Sequence, residues 1–187
     1  VTGTTRVTGL LEGEDVLNTA KALTALGARC GKVGETWEVR GRGVGGLAQP
    51  SGPLDFGNAG TGVRLMMGVL APHDVRIEMI GDASLSRRPM GRVLKPLGLM
   101  GVTTVDNRER LPLVFCGTSS LVPIEYELPV PSAQVKSAIL IAGLGAAGAT
   151  TVIESEATRD HTERMLRYFG ASVETGRRGS KTAITVT

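Results

Sequence analysis

A pattern that recurs about every 70 residues constrains the fold of this chain more than any other feature of its sequence. In three segments, 21–41, 94–117 and 164–186, a helix end is followed by a glycine, a strand, a polar turn and a second strand. The matching glycines and leucines are Gly27, Gly101 and Gly170, and Leu23, Leu97 and Leu166. Both sets are separated by 74 and then 69 residues (27 to 101 to 170 for the glycines). A period of this length indicates a recurring supersecondary unit.

The predicted unit has the order β-α-β-α-β-β. A further strand precedes each of the three segments, and these strands are "TTRVTG" (4–9), "VRIEMIG" (75–81) and "TTVIES" (150–155). We therefore expect an α/β (α+β) chain that forms a single lobe over residues 1–187. Its repeats are 1–53, 54–123 and 124–187. The first is incomplete, because its apolar helix would fall before Val1, and this predicts a missing segment upstream.

Two kinds of helix are expected in these units. The segments 60–71 and 132–146 are apolar on nearly every side and are predicted to be buried at the centre of the lobe. The other helices are amphipathic and are predicted to pack between sheets, with Pro89 in the first turn of one and Thr158 capping another. Their inward residues are predicted to be Val16, Ala20, Leu23 and Gly27, then Val93, Leu97 and Met100, then Met165, Leu166 and Phe169.

Composition narrows the function classes. The net charge is +3 and the isoelectric point is about 9.1, but the basic residues are dispersed and only 3% of residues are aromatic. This argues against nucleic-acid binding and suits an anionic small molecule. No apolar run approaches the ~20 residues of a membrane-spanning helix, and no signal peptide is visible. Cys30 and Cys116 are predicted to be free thiols in a reducing, cytoplasmic compartment, without metal-ligand spacing.

The glycine-rich stretch "GNAGTGVR" (57–64) precedes one of the apolar helices. Small residues let an anion approach the backbone, and the N–H groups at a helix start point toward it. Asn58 and Thr61 can add side-chain hydrogen bonds, and Arg64 lies one turn further on. The stretch therefore predicts an anion site around Asn58, Gly60 and Thr61, with an ordinary helix entry as the alternative.

Two arginines occupy equivalent places in successive repeats. Arg88 lies in "GDASLSRRPMGR" (81–92) and Arg159 in "EATRDHTER" (156–164), each between a strand and a helix. A guanidinium in such a loop can bind carboxylate or phosphate through two parallel hydrogen bonds. The alternative is a solvated basic loop. His73 and His161 are expected to be structural, with His161 on a helix surface.

The segment "PSAQVKSA" (131–138) opens the second apolar helix, as "GNAGTGVR" opens the first. Ser132 and Gln134 are candidate ligand contacts there, with simple helix capping as the alternative reading. Lys136 is expected at the surface or rim. Because equivalent points of successive repeats meet at one end of a lobe, these helix starts and loop arginines predict a shared anion-binding face. Such a face can hold phosphate and carboxylate together.

The motifs resemble those of the EPSP synthase family, and of its bacterial class II branch in particular. They are "RVTGLLEGEDVLNT", "LDFGNAGTGVRL", "IGDASLSRRPMGRVLKPLG", "SAQVKSAILIAGL" and "ATRDHTERML", and they run along nearly the whole chain. The resemblance implies two lobes of three β-α-β-α-β-β units, of which this chain is the amino-proximal one. It also implies transfer of the enolpyruvyl group of phosphoenolpyruvate to the 5-hydroxyl of shikimate 3-phosphate, with release of phosphate. No metal or organic cofactor is expected.

The resemblance also implies roles for individual residues. Phosphoenolpyruvate is expected at Asn58, Gly60, Thr61 and Arg88, and shikimate 3-phosphate at Ser132, Ala133, Gln134 and Arg159. Gln134 would lie between the two substrates, and Arg88 and Gln134 are the expected catalytic residues. In this family Gly60 abuts the site of the inhibitor glyphosate, which a glycine leaves open.

Two elements of the family pattern are absent from this sequence: the amino-terminal Lys-Ser motif and the whole second lobe. The chain alone is therefore expected to fold without catalysing the reaction. One alternative is the related enolpyruvyl transferase that acts on UDP-N-acetylglucosamine, but Ala83 stands where that enzyme usually has a cysteine. The other is a non-catalytic lobe that binds phosphorylated metabolites or a partner protein.

Overall fold

The computed structural model describes residues 2–43 and 45–187, and it contains three small β-sheets, each formed by one continuous stretch of chain. The first stretch contains strand β1 (Thr2–Thr8), helix α1 (Glu14–Ala25), strand β2 (Arg29–Val33) and strand β3 (Thr36–Arg42). Its sheet has the order β1-β3-β2 and is antiparallel throughout.

The second stretch contains β4 (Leu54–Asp55), α2 (Gly60–Leu70), β5 (Arg76–Ile80), α3 (Ala83–Arg87), α4 (Gly91–Leu99), β6 (Thr103–Thr104), a 3-10 turn (Val105–Asn107) and β7 (Leu113–Cys116). The third contains β8 (Glu125–Glu127), α5 (Ala133–Gly143), β9 (Thr150–Glu154), α6 (His161–Tyr168), β10 (Val173–Arg178) and β11 (Lys181–Val186).

The sheets of the second and third stretches have the same topology. Their strand orders are β4-β5-β7-β6 and β8-β9-β11-β10, and only the first pair of each is parallel. The β1-β3-β2 sheet matches the last three strands of either order. The third stretch has the β-α-β-α-β-β order expected from the sequence, the second has it with one helix divided into α3 and α4, and the first has its last four elements. The division at 53/54 and 123/124 stays a prediction.

The two apolar helices, α2 and α5, cross at the centre of the molecule. Gly68 of α2 lies so close to α5 that a β-carbon added to it would be 2.9 Å from the Cα of Ala138. The predicted bounds, 60–71 and 132–146, enclose the observed helices, and the burial is confirmed. The amino-terminal ends of the two helices, residues 60 and 133, lie at the same end of the lobe, because a side chain in the first turn of α5 contacts one in the first turn of α2.

The expected placement of Pro89 in a first helical turn is wrong. The helix of repeat two is split, because α3 ends at Arg87 and α4 begins at Gly91. Arg88 between them is extended, with φ −77° and ψ 133°. A proline disfavours the helical conformation of the residue before it, so Arg88 leaves the helix and the chain must start a new one.

The inward residues of the amphipathic helices are only partly as expected. Val93, Leu97 and Met100 are fully buried, which confirms the stripe of α4. On α6, however, Met165 and Phe169 are 43% and 41% exposed, and Leu166 is buried together with Glu163. On α1, Asn18 and Ala22 are buried, whereas the predicted residues Val16, Ala20, Leu23 and Gly27 are only half-buried.

These errors have one cause: polar side chains on the inner faces find partners on other elements. The Asn18 amide donates to the Phe56 carbonyl oxygen (3.3 Å), and Glu163 forms a buried ion pair with Lys136. A prediction from apolar periodicity leaves such polar residues out of the buried face. The face that it predicts is therefore rotated about the helix axis away from the face that is buried.

Candidate anion-binding site

The loop before α2 is shaped by short-range hydrogen bonds. The Asp55 Oδ1 atom accepts from the Gly57 N–H at 2.8 Å, and Gly57 has φ +51°, in the left-handed region that favours glycine. Gly60 then begins the helix. This geometry leaves Asn58 and Thr61 exposed at the amino-terminal end of α2, where the helix dipole favours an anion.

Arg88 is connected to this loop through a chain of hydrogen bonds. Its Nη2 donates to Asn58 Oδ1 at 2.6 Å, and Asn58 Nδ2 donates to Asp82 Oδ2 at 2.9 Å. Asp82 also caps α3 by accepting from the Leu85 N–H at 2.7 Å. The Leu85 amide and then the Asn58 side chain lower the pKa of Asp82 below its usual value. The break between α3 and α4 therefore places Arg88 at the start of α2.

Gly60 lies beneath two guanidinium groups. A β-carbon at this position would be 2.7 Å from Arg88 Nη1 and 3.2 Å from Arg64 Nη1. The absence of a side chain at Gly60 thus lets both arginines approach the helix start.

Arg64 has a larger part in the site than its sequence position suggests. Its guanidinium donates to the carbonyl oxygens of Gly60 (2.9 Å) and Pro89 (3.2 Å), and to Gln134 Oε1 at 3.4 Å. Burial, and then the charges of Arg88 and Arg92, lower the pKa of Arg64. The sequence signal for this role was the four-residue spacing of Arg64 from Gly60, since residues four apart are neighbours on a helix. Its contacts with Pro89 and Gln134 require the tertiary fold.

The starts of α2 and α5 are joined directly. Gln134 Nε2 donates to Thr61 Oγ1 at 2.8 Å, which confirms that these two predicted residues lie together. Ser132 caps α5 by accepting from the Val135 N–H at 3.4 Å, and Ala133 is the first helical residue. The capping alternative is therefore observed for Ser132, whereas Gln134 points to the partner helix.

Arg159 is exposed in the loop between β9 and α6, and α6 begins only at His161. The expected helix cap at Thr158 is wrong. The residue before the first helical residue is Asp160, and both the N–H and the hydroxyl of Thr158 donate to the buried carboxylate of Glu154, at 3.3 and 2.8 Å. His161 is exposed on the helix, as expected, and His73 is buried.

Lys136 is not at the rim, as the sequence suggested, but is 1% exposed. Its ammonium contacts two buried carboxylates, those of Glu154 and Glu163. The position of this lysine shortly after Gln134 was therefore a misleading sign of exposure, because the partners that allow the lysine to be buried are distant in sequence.

A groove of about 660 Å³ lies beside the arginines, between α4 and residues 126–135. Its walls are largely apolar, and it borders the site at Pro89, Arg92 and Ser132. The guanidinium groups and helix starts, rather than this groove, provide the donors for an anion.

The chemistry of this site is electrostatic. Two guanidiniums, the amino-terminal ends of α2 and α5, and polar side chains of both helices converge on an accessible surface. Such donors bind and orient anions and stabilise charge that develops during a reaction. Among the described residues, 2–43 and 45–187, no cluster of His, Cys, Asp or Glu is arranged to hold a metal ion. None of the helices over the same residues is long and apolar enough to cross a membrane.

The chain is similar to known proteins along its whole length. The family model for EPSP synthase (3-phosphoshikimate 1-carboxyvinyltransferase) matches residues 1–187. The 3-phosphoshikimate 1-carboxyvinyltransferase of Bradyrhizobium sp. (strain ORS 278) is 58% identical over 181 residues, which are 95% of this chain and 41% of that relative. The one from Brucella abortus (strain S19) is 57% identical over 180 residues, 95% of this chain and 40% of that relative.

A solved structure of EPSP synthase from Acinetobacter baumannii has a TM-score of 0.89 and 46% identity to this chain, with 98% of this chain and 41% of that one covered. The chain thus spans about two fifths of the length of the relatives that it matches. Since the family model covers every residue and the fold agrees, this chain belongs to the EPSP synthase family.

Proposed function

We propose that this chain is the substrate-binding lobe of an enzyme that transfers the enolpyruvyl group of phosphoenolpyruvate to shikimate 3-phosphate. The observation that carries the proposal is the link between the two helix starts, in which Gln134 donates to Thr61 at 2.8 Å, beside Arg88, which donates to Asn58 at 2.6 Å. One continuous set of donors would thereby serve two neighbouring anions.

The two substrates would use the two ends of this set. Phosphoenolpyruvate would bind Asn58, Gly60, Thr61 and Arg88, and shikimate 3-phosphate would bind Ser132, Ala133, Gln134 and Arg159. In this arrangement Arg88 neutralises the phosphoenolpyruvate anion and holds it in reactive geometry. Gln134, which contacts both Thr61 and Arg64, lies where the two substrates would meet.

Proton transfer is assigned to a second lobe of the same enzyme. The groups proposed to contact substrate are guanidinium, amide and hydroxyl groups, and the carboxylate of Asp82 is occupied by hydrogen bonds from Asn58 and Leu85. This set suits binding better than general acid–base catalysis. We therefore propose that this chain by itself binds substrate without turnover. Its location is proposed to be the cytoplasm, where the thiols of Cys30 and Cys116 stay reduced, and nucleic acid is not a proposed partner.

The test is a titration of the isotope-labelled chain with shikimate 3-phosphate and phosphoenolpyruvate, followed by NMR, with UDP-N-acetylglucosamine as a control ligand. We expect amide shifts at the starts of α2 and α5 with the first two ligands. Shifts with UDP-N-acetylglucosamine alone would favour the related transferase, although Ala83 provides no thiol beside the site. Silence toward all three would contradict substrate binding by this lobe alone and would mean that the site needs segments outside this chain.

A matched pair of variants sharpens this test. Arg88→Ala removes a charged donor to the proposed phosphoenolpyruvate, and we expect its affinity to fall about 30-fold or more, since losing such a partner costs ~2–5 kcal/mol. Arg87→Ala removes the neighbouring exposed arginine and is expected to change the affinity less than threefold. Equal effects of the two substitutions would show that only general positive charge matters.

A further inference from the structure

Lys136 occupies an unusual position for a lysine, between three elements of the third repeat. Its Nζ lies 2.7 Å from Glu163 Oε1 on α6, and 3.3 Å from each carboxylate oxygen of Glu154 at the end of β9. The side chains of all three residues are 4% exposed or less.

Stability alone does not explain this cluster. Transferring three charged groups into the interior carries a desolvation cost that ion pairing often only offsets, and apolar side chains of similar volume can fill such a space at least as well. One ammonium also faces two carboxylates, and Glu163 Oε2 has no hydrogen-bond partner among the described residues. The hydrogen bonds around the cluster show which loop of the chain it holds in place.

The cluster extends to the loop that carries Arg159. Glu154, held by Lys136, accepts both the N–H and the hydroxyl of Thr158, the residue directly before Arg159. On the far side of that loop, Thr162 contacts Ser137 of α5, hydroxyl to hydroxyl, at 2.6 Å. The loop is thus attached at both ends to a cluster anchored on α5.

Helix α5 also carries Gln134, two residues before Lys136. We infer that Lys136, through Glu154 and Thr158, is a positioning residue that holds Arg159 at a set distance from the start of α5, so that both can contact one phosphorylated substrate. This inference rests on the proposed function for the identity of that substrate, shikimate 3-phosphate. The attachment of the loop itself does not depend on it.

The test uses Thr158, because removing the charge of Lys136 would leave two buried carboxylates and threaten the fold. Thr158→Val preserves the shape of the side chain and removes the hydroxyl that donates to Glu154, whereas Thr158→Ser keeps that hydroxyl. Thr185→Val is the matched control, because it removes a hydroxyl that contacts Thr151 within the sheet.

Two quantities are measured for each variant: the dissociation constant for shikimate 3-phosphate, and the amide hydrogen exchange of residues 156–160. For Thr158→Val we expect affinity to fall about tenfold or more, as one hydrogen bond to a charged group is lost, with faster exchange in the loop. Thr158→Ser is expected to restore both to within twofold of the parent. Thr185→Val is expected to leave both unchanged, although it lowers the melting temperature.

Parent-like affinity in Thr158→Val, or an equal loss in Thr185→Val, would overturn the inference. If the parent chain does not bind shikimate 3-phosphate, the proposed function fails. The hydrogen exchange of residues 156–160 then still tests whether Thr158 attaches the loop to Glu154. Unchanged protection of 156–160 in Thr158→Val would then overturn the inference as well.

Discussion

Single residues in this site act mainly by leaving space for other side chains and by forming hydrogen bonds with them. Gly60 contributes no side chain, and two guanidiniums occupy the room above it. Asn58 carries no charge, yet it connects Arg88 to Asp82. The sequence alone was sufficient to select both, because glycine and asparagine before a helix are typical of anion-binding loops. It was not sufficient to show which arginine each of them contacts.

Gly60→Ala tests the role of that space. The new β-carbon would be 2.7 Å from Arg88 Nη1, the end of a flexible side chain, so we expect the guanidinium to move and the fold to survive. Affinity for phosphoenolpyruvate is expected to fall about tenfold, equivalent to ~1.4 kcal/mol, while the free energy of unfolding changes by less than ~1 kcal/mol. Titration and chemical denaturation measure the two quantities.

The control for this substitution is Gly176→Ala, since a β-carbon there meets nothing within 4 Å. Unchanged affinity in Gly60→Ala, with a normal control, would contradict the close approach of Arg88 to the helix start.

At the scale of elements, helix packing decides which glycines are essential. Gly68 lies at the crossing of α2 and α5, whereas Gly98 is an exposed residue of α4 with open space around it. Apolar sequence patterns predicted that α2 and α5 are buried, because a helix that is apolar on all sides must avoid water. They did not predict the buried carboxylate of Glu163 on α6 or the amide of Asn18 on α1.

Gly68→Ala and Gly98→Ala form a matched pair that tests this packing. In the first, the β-carbon would be 2.9 Å from the Cα of Ala138, a backbone atom that cannot turn aside, and we expect a loss of about 1–3 kcal/mol in the free energy of unfolding. In the second we expect a gain of about 0.5–1 kcal/mol, because alanine favours a helix more than glycine. Urea denaturation gives both values, and a stable Gly68→Ala variant would show that the helices lie further apart.

At the scale of the whole molecule, stability depends on pH through His73, which is 9% exposed in the turn between α2 and β5. Burial lowers the pKa of His73 below its ordinary value of 6.5, so the unfolded chain takes up a proton at this residue more readily than the folded one. The folded state is then favoured fully above pH 6.5, and this contribution is lost as the pH falls from there toward the lowered pKa.

We therefore expect the free energy of unfolding to decrease between pH 7 and pH 5, with a smaller decrease in His73→Gln. Denaturation curves at several pH values measure this difference. His161→Gln is the control, since His161 is exposed on α6. An identical pH dependence in the parent and in His73→Gln would contradict the assignment to His73.

The sequence by itself determined the order of the strands and helices apart from the break between α3 and α4, the burial of α2 and α5, and the stretches that carry Asn58, Thr61, Gln134 and both loop arginines. These follow from local chemistry: periodicity, glycine placement and capping residues act over a few positions. The tertiary structure alone decided the burial of Lys136 beside a carboxylate 18 residues further along the chain, and the contact of Arg64 with Gln134, 70 residues away. A buried charge or a shared donor depends on partners that only folding brings within hydrogen-bond distance.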